Sequence, residues 1–344
     1  MYLFIRRLNS YSREKYIQGI LFQQGHLHQT MRTQTITPNS TVFQAPRMLI
    51  GTEVPTGKMT VNTSSLTSTK IPVNKITNAL FEGDCLEVLK KFPDASIDMV
   101  LCDLPYGTTQ NKWDSVIDLE ELWEEYHRVV KPNGAIVLTS QGIFTAKLII
   151  SNEKNFKYKI TWEKSKPTNF LNAKIQPLRK HEDICVFYRE QPAYNPQMGE
   201  GLPYDKGVRK DQLSGSYGDF LPRHVKSDGG RYPTDVVYFK TAESEGTVWH
   251  PTQKPVDLGR YLIRTYTNPG DIVLDNSFGS GSFLVAAALE GRSFCGIEKN
   301  EDVQLFKKNA IDYIDIAQAR LAQVFEKKSK KCRLNIYRAN SDED

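Results

Sequence analysis

Four short apolar runs in this chain lead into an acid: Ala79-Leu80-Phe81 before Gly83-Asp84, Ile97–Cys102 before Asp103, Ile272-Val273-Leu274 before Asp275, and Ser293–Ile297 before Glu298. Short apolar runs closed by turn residues read as buried strands. Between and around them lie segments with apolar residues at helical spacing. These are Cys85–Phe92 (stopped by Pro93), Leu119–Val130, Ile143–Ser151, Val256–Thr265 (behind Pro255), the Ala-rich Ser282–Leu289 (ended by Gly291) and Val303–Phe325. Strands alternating with helices at this rhythm predict an α/β fold with a doubly wound, mostly parallel sheet. Such sheets bind ligands at the C-terminal ends of their strands, which is where the four acids would stand.

Three further strands are predicted at Ala135–Thr139, Phe156–Glu163 and Ile184–Tyr188, with Lys131-Pro132-Asn133-Gly134 as a turn before the first. No helix separates the last two, so they should form an antiparallel hairpin near one edge. From Gln191 to about Val248 the rhythm breaks, and Gly, Pro, Tyr and Asp dominate except for Asp235-Val236-Val237-Tyr238-Phe239. An insertion of that length in a compact domain is usually functional or disordered. Residues 1–74 are rich in Thr, Ser, Asn and Gln without sustained periodicity, which predicts a disordered or loosely attached tail. Glu14 is the only acid in the first 50 residues, so a transit peptide and a solvated tail both fit that composition. The end of the chain, 327–344, reads as a basic then acidic tail.

Charge is informative only locally. The whole chain carries +5, yet 154–189 holds nine basic residues against three acids, with Phe156, Tyr158, Trp162 and Phe170 interleaved. Basic and aromatic residues in one span suit a surface that tracks phosphates beside bases. The five cysteines (Cys85, Cys102, Cys185, Cys295, Cys332) are scattered, with no spacing that suggests a metal site or a disulfide framework. No apolar run approaches the ~20 residues of a membrane span. A soluble, intracellular protein is expected.

Two constellations carry chemistry. In the first, Asp103-Leu104-Pro105-Tyr106 follows a strand, and the proline stiffens the turn. An amino group conjugated to a heterocycle is a poor nucleophile because its lone pair is delocalised. Hydrogen bonds from its two N–H groups to the Asp103 carboxylate and the Leu104 carbonyl would shift it toward sp³. Attack on a sulfonium methyl then needs mainly positioning and electrostatics. Tyr106 offers a face on which a flipped base can stack. In the second, Asp275-Asn276-Ser277-Phe278-Gly279-Ser280-Gly281 joins a strand to a helix, where glycines let backbone approach a ligand. Glu298 ends the next strand, the place of an acid that accepts from ribose hydroxyls, and Asp84 could meet an adenine amino group or simply cap the helix after it. The pattern fits an adenosine-containing cofactor, and the loop lacks the three-glycine spacing of a dinucleotide fingerprint.

Together these residues resemble the amino-group DNA methyltransferases that use S-adenosyl-L-methionine, in their β-type permuted order. In that order the Asp/Asn-Pro-Pro-Tyr motif comes first, the target-recognition region second and the Phe-x-Gly-x-Gly loop last. Here Asp103–Tyr106 precedes 191–248, which precedes Phe278–Gly281. His250–Pro255 resembles the family's cofactor-side motif, Gly83-Asp84 its adenine-contacting acid and Glu298 its ribose-contacting acid. Leu178–Ile184 resembles the segment before the last core strand. The resemblance spans roughly 76–322. Leu104 stands in place of the usual first proline, and the first glycine follows Phe278 directly.

The resemblance implies a Rossmann-like methyltransferase sheet in permuted order, with an irregular target-recognition insertion. The expected division is a tail over 1–74, a catalytic half over 75–190, a target-recognition insertion over 191–248, a cofactor half over 249–326 and a tail over 327–344. It implies Asp103, Leu104, Pro105 and Tyr106 as catalytic residues. Asp84, Cys85, Thr252, Lys254, Asp275, Phe278, Gly279, Ser280, Gly281 and Glu298 would bind S-adenosyl-L-methionine. The implied partner is double-stranded DNA, and a homodimer is compatible with the group. Asp at the first catalytic position is typical of the adenine-N6 branch. Cytosine-N4 methylation, methylation of RNA or of a protein amide, and a nucleic-acid-binding module with a degenerate cofactor site stand as alternatives.

Overall fold

The computed structural model describes residues 59–66, 70–107, 115–208, 223–300, 312–327 and 332–338. The sequence-based expectations for residues 1–58, including a transit peptide, lie outside them.

The predicted core strands form as β2 (Ala79–Glu82), β3 (Ile97–Cys102), β4 (Val130–Ser140), β12 (Ile272–Asp275) and β13 (Ser293–Glu298). They are joined by β5 (Phe156–Thr168), β6 (Arg179–Phe187), β11 (Val236–Phe239), β1 (Met59–Ser65) and β14 (Cys332–Arg338). Among the described residues these make a ten-stranded sheet in the order β1-β14-β2-β13-β12-β3-β4-β6-β5-β11. The pairings from β1 through β4 are parallel, β6 is antiparallel to β4 and β5, and β11 is parallel to β5. The β5–β6 hairpin is thus present as expected.

Side chains alternate across this sheet and feed two separate cores. In β3, Met99 and Leu101 face one core while Val100 and Cys102 face the other. The first core is covered by α5 (Val256–Tyr266), α6 (Ser282–Leu289) and α7 (Tyr313–Lys327), through Leu258, Leu262, Phe283, Leu284 and Leu321. The second lies under α2 (Cys85–Leu89), α3 (Leu119–Val129) and α4 (Ile143–Ser151), through Leu89, Leu122, Trp123, Tyr126 and Phe144. Helix α3 shows why these segments are helical. Asp118 caps its start by accepting from Glu121 N at 3.0 Å, and Glu120 and Glu121 sit in the first turn with His127 and Arg128 in the last. A short helix, α1 (Val73–Ile76), precedes β2.

Four boundaries differ from the sequence reading. Strand β1 lies within the segment expected to be a tail, and β14 lies within the expected C-terminal tail. They pair with each other over seven residues, and β14 also pairs with β2. Strand β4 begins at Val130, with the expected Lys131–Gly134 turn inside it where the pairing to β3 shifts register. The 191–248 insertion is not all irregular, since β11 extends the main sheet and Trp162 Nε1 donates to Phe239 O at 3.0 Å. Its other described strands pair in two small ladders, β7 (Gly199–Glu200) with β10 (Gly230–Arg231) and β8 (Tyr204–Val208) with β9 (His224–Ser227), and 209–222 lie outside the described residues. Helix α7 starts at Tyr313, and 301–311 lie outside the described residues. Among the described residues no helix is long and apolar enough to cross a membrane.

Candidate active site

The four acids end up side by side because their strands are consecutive in the sheet, in the order β2-β13-β12-β3. Asp84, Glu298, Asp275 and Asp103 follow or end those strands, and all four line one cavity of about 960 Å³. Leu104, Pro105, Tyr106, Cys85, Thr252, Lys254, Phe278, Gly279 and Ser280 line the same cavity. Gly281 does not. It begins α6 at φ +76°, and a Cβ there would lie 2.9 Å from Ala317 Cβ of α7, so its smallness serves helix packing.

Asp103 is the most heavily engaged of the acids. Its carboxylate accepts from Tyr106 OH at 2.7 Å, from Thr139 Oγ1, and from Lys254 Nζ at 2.7 Å. Lys254 was expected on the cofactor side, but its ammonium lies between Asp103 and Glu182, 3.3 Å from the latter. It also stands 5.3 Å from the Tyr106 ring centroid. Burial disfavours a charged Lys254, yet Asp103 and Glu182 outweigh it and raise its pKa. Glu182 is likewise held below the usual carboxylate range. Its burial opposes the charge, but Lys254 and Lys164, the latter at 3.1 Å, prevail. Sequence reasoning did not select Glu182, Lys164 or Thr139 as site residues. Glu182 and Lys164 come from the β5–β6 hairpin and Thr139 from β4, and only the sheet order brings them to Asp103.

On the other side of the cavity, Gly279 N donates to Glu298 Oε2 at 2.7 Å and Asn300 N to Oε1 at 3.2 Å. Burial raises the Glu298 pKa in spite of these bonds. Gly279 adopts φ +48°, and a Cβ there would sit 3.4 Å from the His250 ring. Ser280 Oγ donates to Gln253 Oε1 at 3.0 Å, and Arg320 of α7 donates to Ser280 O at 2.6 Å, so the loop is held from both sides. Ser277 Oγ donates to Asp103 O at 3.1 Å and ties this loop to the catalytic strand. Asp84 does cap α2, accepting from Leu86 N at 3.0 Å, and its other oxygen lies 3.5 Å from Lys299. Burial pushes Asp275 up to about 8 and the Cys85 thiol up to about 11, so neither is disposed to act as a charged group at neutral pH. Asn276, which also lines the cavity, donates nothing from its buried Nδ2 to any hydrogen-bond partner among the described residues.

A family described as DNA methylase (N6_N4_Mtase) matches residues 97–308. The chain is 29% identical over 271 residues to the DNA adenine methyltransferase YhdJ of Escherichia coli (strain K12), covering 75% of this chain and 89% of that one. It is 27% identical over 288 residues to the type II methyltransferase M.HinfI of Haemophilus influenzae, covering 73% and 70%. A solved structure, the M1.HpyAVI–SAM complex, superposes with a TM-score of 0.48 at 23% identity, over 71% of this chain and 98% of that one. With the matched segment running from the strand before Asp103 past the loop at Phe278–Gly281 and Glu298, the chain belongs to this family of DNA methylases.

Proposed function

We propose that the protein transfers a methyl group from S-adenosyl-L-methionine to the N6 amino group of adenine in double-stranded DNA, after the base has left the stack. The observation that carries this reading is that Asp103–Tyr106 and Phe278–Ser280 line one cavity, although Asp103 and Ser277 are 174 residues apart in the chain. Two relatives support the choice of reaction, one named a DNA adenine methyltransferase and the other a type II methyltransferase.

The residues present fit the cofactor. Glu298 can accept from a ribose diol, Gly279 leaves the loop open, and the Asn276 amide offers an unused donor that suits a carboxylate. Phe278, Ser280, Asp84 and Thr252 complete that side of the cavity. S-Adenosyl-L-methionine, when bound, supplies an electrophilic methyl group on a sulfonium.

Asp103 accepts one N–H of the amine and the Leu104 carbonyl the other, which makes the nitrogen lone pair available. Tyr106 is stacked on Phe144 at 5.1 Å between centroids, so its ring is held as a platform for the base. Lys254 donates to the Asp103 carboxylate and so holds it in place, turned toward the cavity that it lines. As the N–CH3 bond forms and the S–CH3 bond breaks, N6 sheds one proton, which goes to solvent.

The test is nucleoside analysis of unmethylated duplex DNA incubated with the full-length protein and S-adenosyl-L-methionine. N6-methyldeoxyadenosine is the expected product. N4-methyldeoxycytidine in its place, or no methylated nucleoside, would overturn the proposal.

A further inference from the structure

The connection between β5 and β6 stands at the rim of the active-site cavity, whose lining includes Thr168 and Asn169 on one side of it and Arg179 on the other. At its tip Phe170 is 76% exposed, Leu171 84% and Ile175 82%. Three large apolar side chains so close together in water are unusual on a free surface and mark a contact with something else. The tip is also preformed. Phe170–Asn172 makes a 3₁₀ turn, Asn169 is left-handed at φ +70°, and Asn172 Nδ2 donates to Asn169 Oδ1 at 2.8 Å. Ala173 N and Ile175 N close successive turns onto Phe170 O and Asn172 O.

Charge points to the occupant. Between 166 and 180 the chain carries Lys166, Lys174, Arg179 and Lys180 and no acid. A polyanion fits that surround better than a second copy of a chain with net charge +5. The location points the same way, since a base that reaches Asp103 must leave its stack beside this rim, and the gap it leaves must be filled or it closes again.

We infer that Phe170, Leu171 and Ile175 form an apolar wedge that enters the duplex as the target base swings into the cavity, with Lys166 and Lys174 beside the flanking phosphates. Apolar side chains inserted between base steps are a general means of opening DNA. This inference rests on the proposed methylation of duplex DNA. The wedge touches neither the cofactor nor the reacting amine, so it acts on the opening of the pair and not on the transfer itself.

The test starts from the methylated sequence context, read by single-molecule sequencing of DNA treated with the wild-type protein. If the wild type transfers no methyl group to any DNA, the functional proposal fails, and the wedge fails with it before any variant is made. Otherwise a short duplex of that context is compared with the double variant Phe170→Ser, Leu171→Ser, whose exposed positions leave the fold intact. The variant is expected to methylate the duplex about tenfold more slowly or worse. It should lose the fluorescence rise of 2-aminopurine placed at the target position, while its affinity for S-adenosyl-L-methionine is unchanged. An abasic site opposite the target, which removes the pair to be broken, is expected to restore the variant to near the wild-type rate. An unchanged duplex rate would overturn the wedge. So would a loss that the abasic partner does not rescue, including one that accompanies the conversion of a dimer to a monomer.

Discussion

Lys254 is 8% exposed and is shared between two carboxylates, which fixes what each of the three groups can do. Without the ammonium, Asp103 and Glu182 would share a site in which Lys164 stays on the Glu182 side, 3.1 Å away. Removing one member of a buried charge network typically costs about 3 kcal/mol or more, because the partners stay behind uncompensated. Lys254→Met is therefore expected to lower stability by about that amount in urea unfolding. It should also raise the pKa of Glu182, followed by NMR of its carboxyl, since Lys254 is the foremost charge opposing the burial of that group. Glu298 offers a second test at this scale. Glu298→Gln keeps an oxygen for Gly279 N but loses the charged acceptor, so calorimetry should show S-adenosyl-L-methionine binding weakened about tenfold or more.

At the scale of elements, the site depends on how closely α6 and α7 pack behind the cofactor loop. Gly281→Ala puts a Cβ 2.9 Å from that of Ala317 and forces a left-handed backbone on a residue that resists it. A loss of about 1–3 kcal/mol is expected, visible as a lower Tm. The elements that place this loop were legible in the sequence because their apolar residues recur with the right period and their strands end on acids. β1 and β14 were not. Met-Thr-Val-Asn-Thr-Ser-Ser buries one residue, Met59, and β1 lies at the sheet edge, so pairing with β14 is what makes it a strand. β14 buries Leu334 and Ile336 in a segment whose surrounding composition suggests a tail. The ion pairs at Asp103 were hidden for a related reason. Lys254 and Glu182 lie on separate stretches of chain, and only the order β3-β4-β6 brings the hairpin to the catalytic edge. Leu104, the departure from the family's motif, is buried at 3% exposure, so an apolar side chain fits there. A chain ending at residue 327 would expose β2 on the side that β14 covers, and it is expected to melt at lower temperature than the full chain.

For the molecule as a whole, burying charge-capable groups at one sheet edge makes stability depend on pH. The folded protein keeps the Asp275 proton up to about pH 8, whereas the ordinary value is 3.8. Its contribution is therefore full below the unfolded value and is lost as pH rises toward 8, and Glu298, also raised by burial, acts in the same sense. His250 works the other way. Burial and Lys254 hold it down to about 4 against an ordinary 6.5, although Asp103 opposes them, so its contribution is lost as pH falls from 6.5 to 4. Between pH 6.5 and 8 the carboxyl effect is left alone of the two, and urea unfolding should show stability declining by up to about 1 kcal/mol per pH unit. Asp275→Asn is expected to flatten that decline.

The sheet that creates this pH dependence also brings Asp103 to the rim of the cofactor loop, and on that placement the proposed chemistry rests. The most direct measurement is single-turnover methyl transfer by Asp103→Ala on duplex DNA, paired with calorimetry of S-adenosyl-L-methionine binding to the same variant. Transfer should fall by a factor of about 10³ or more while cofactor affinity stays within a few-fold of wild type. Transfer at near the wild-type rate would contradict the account.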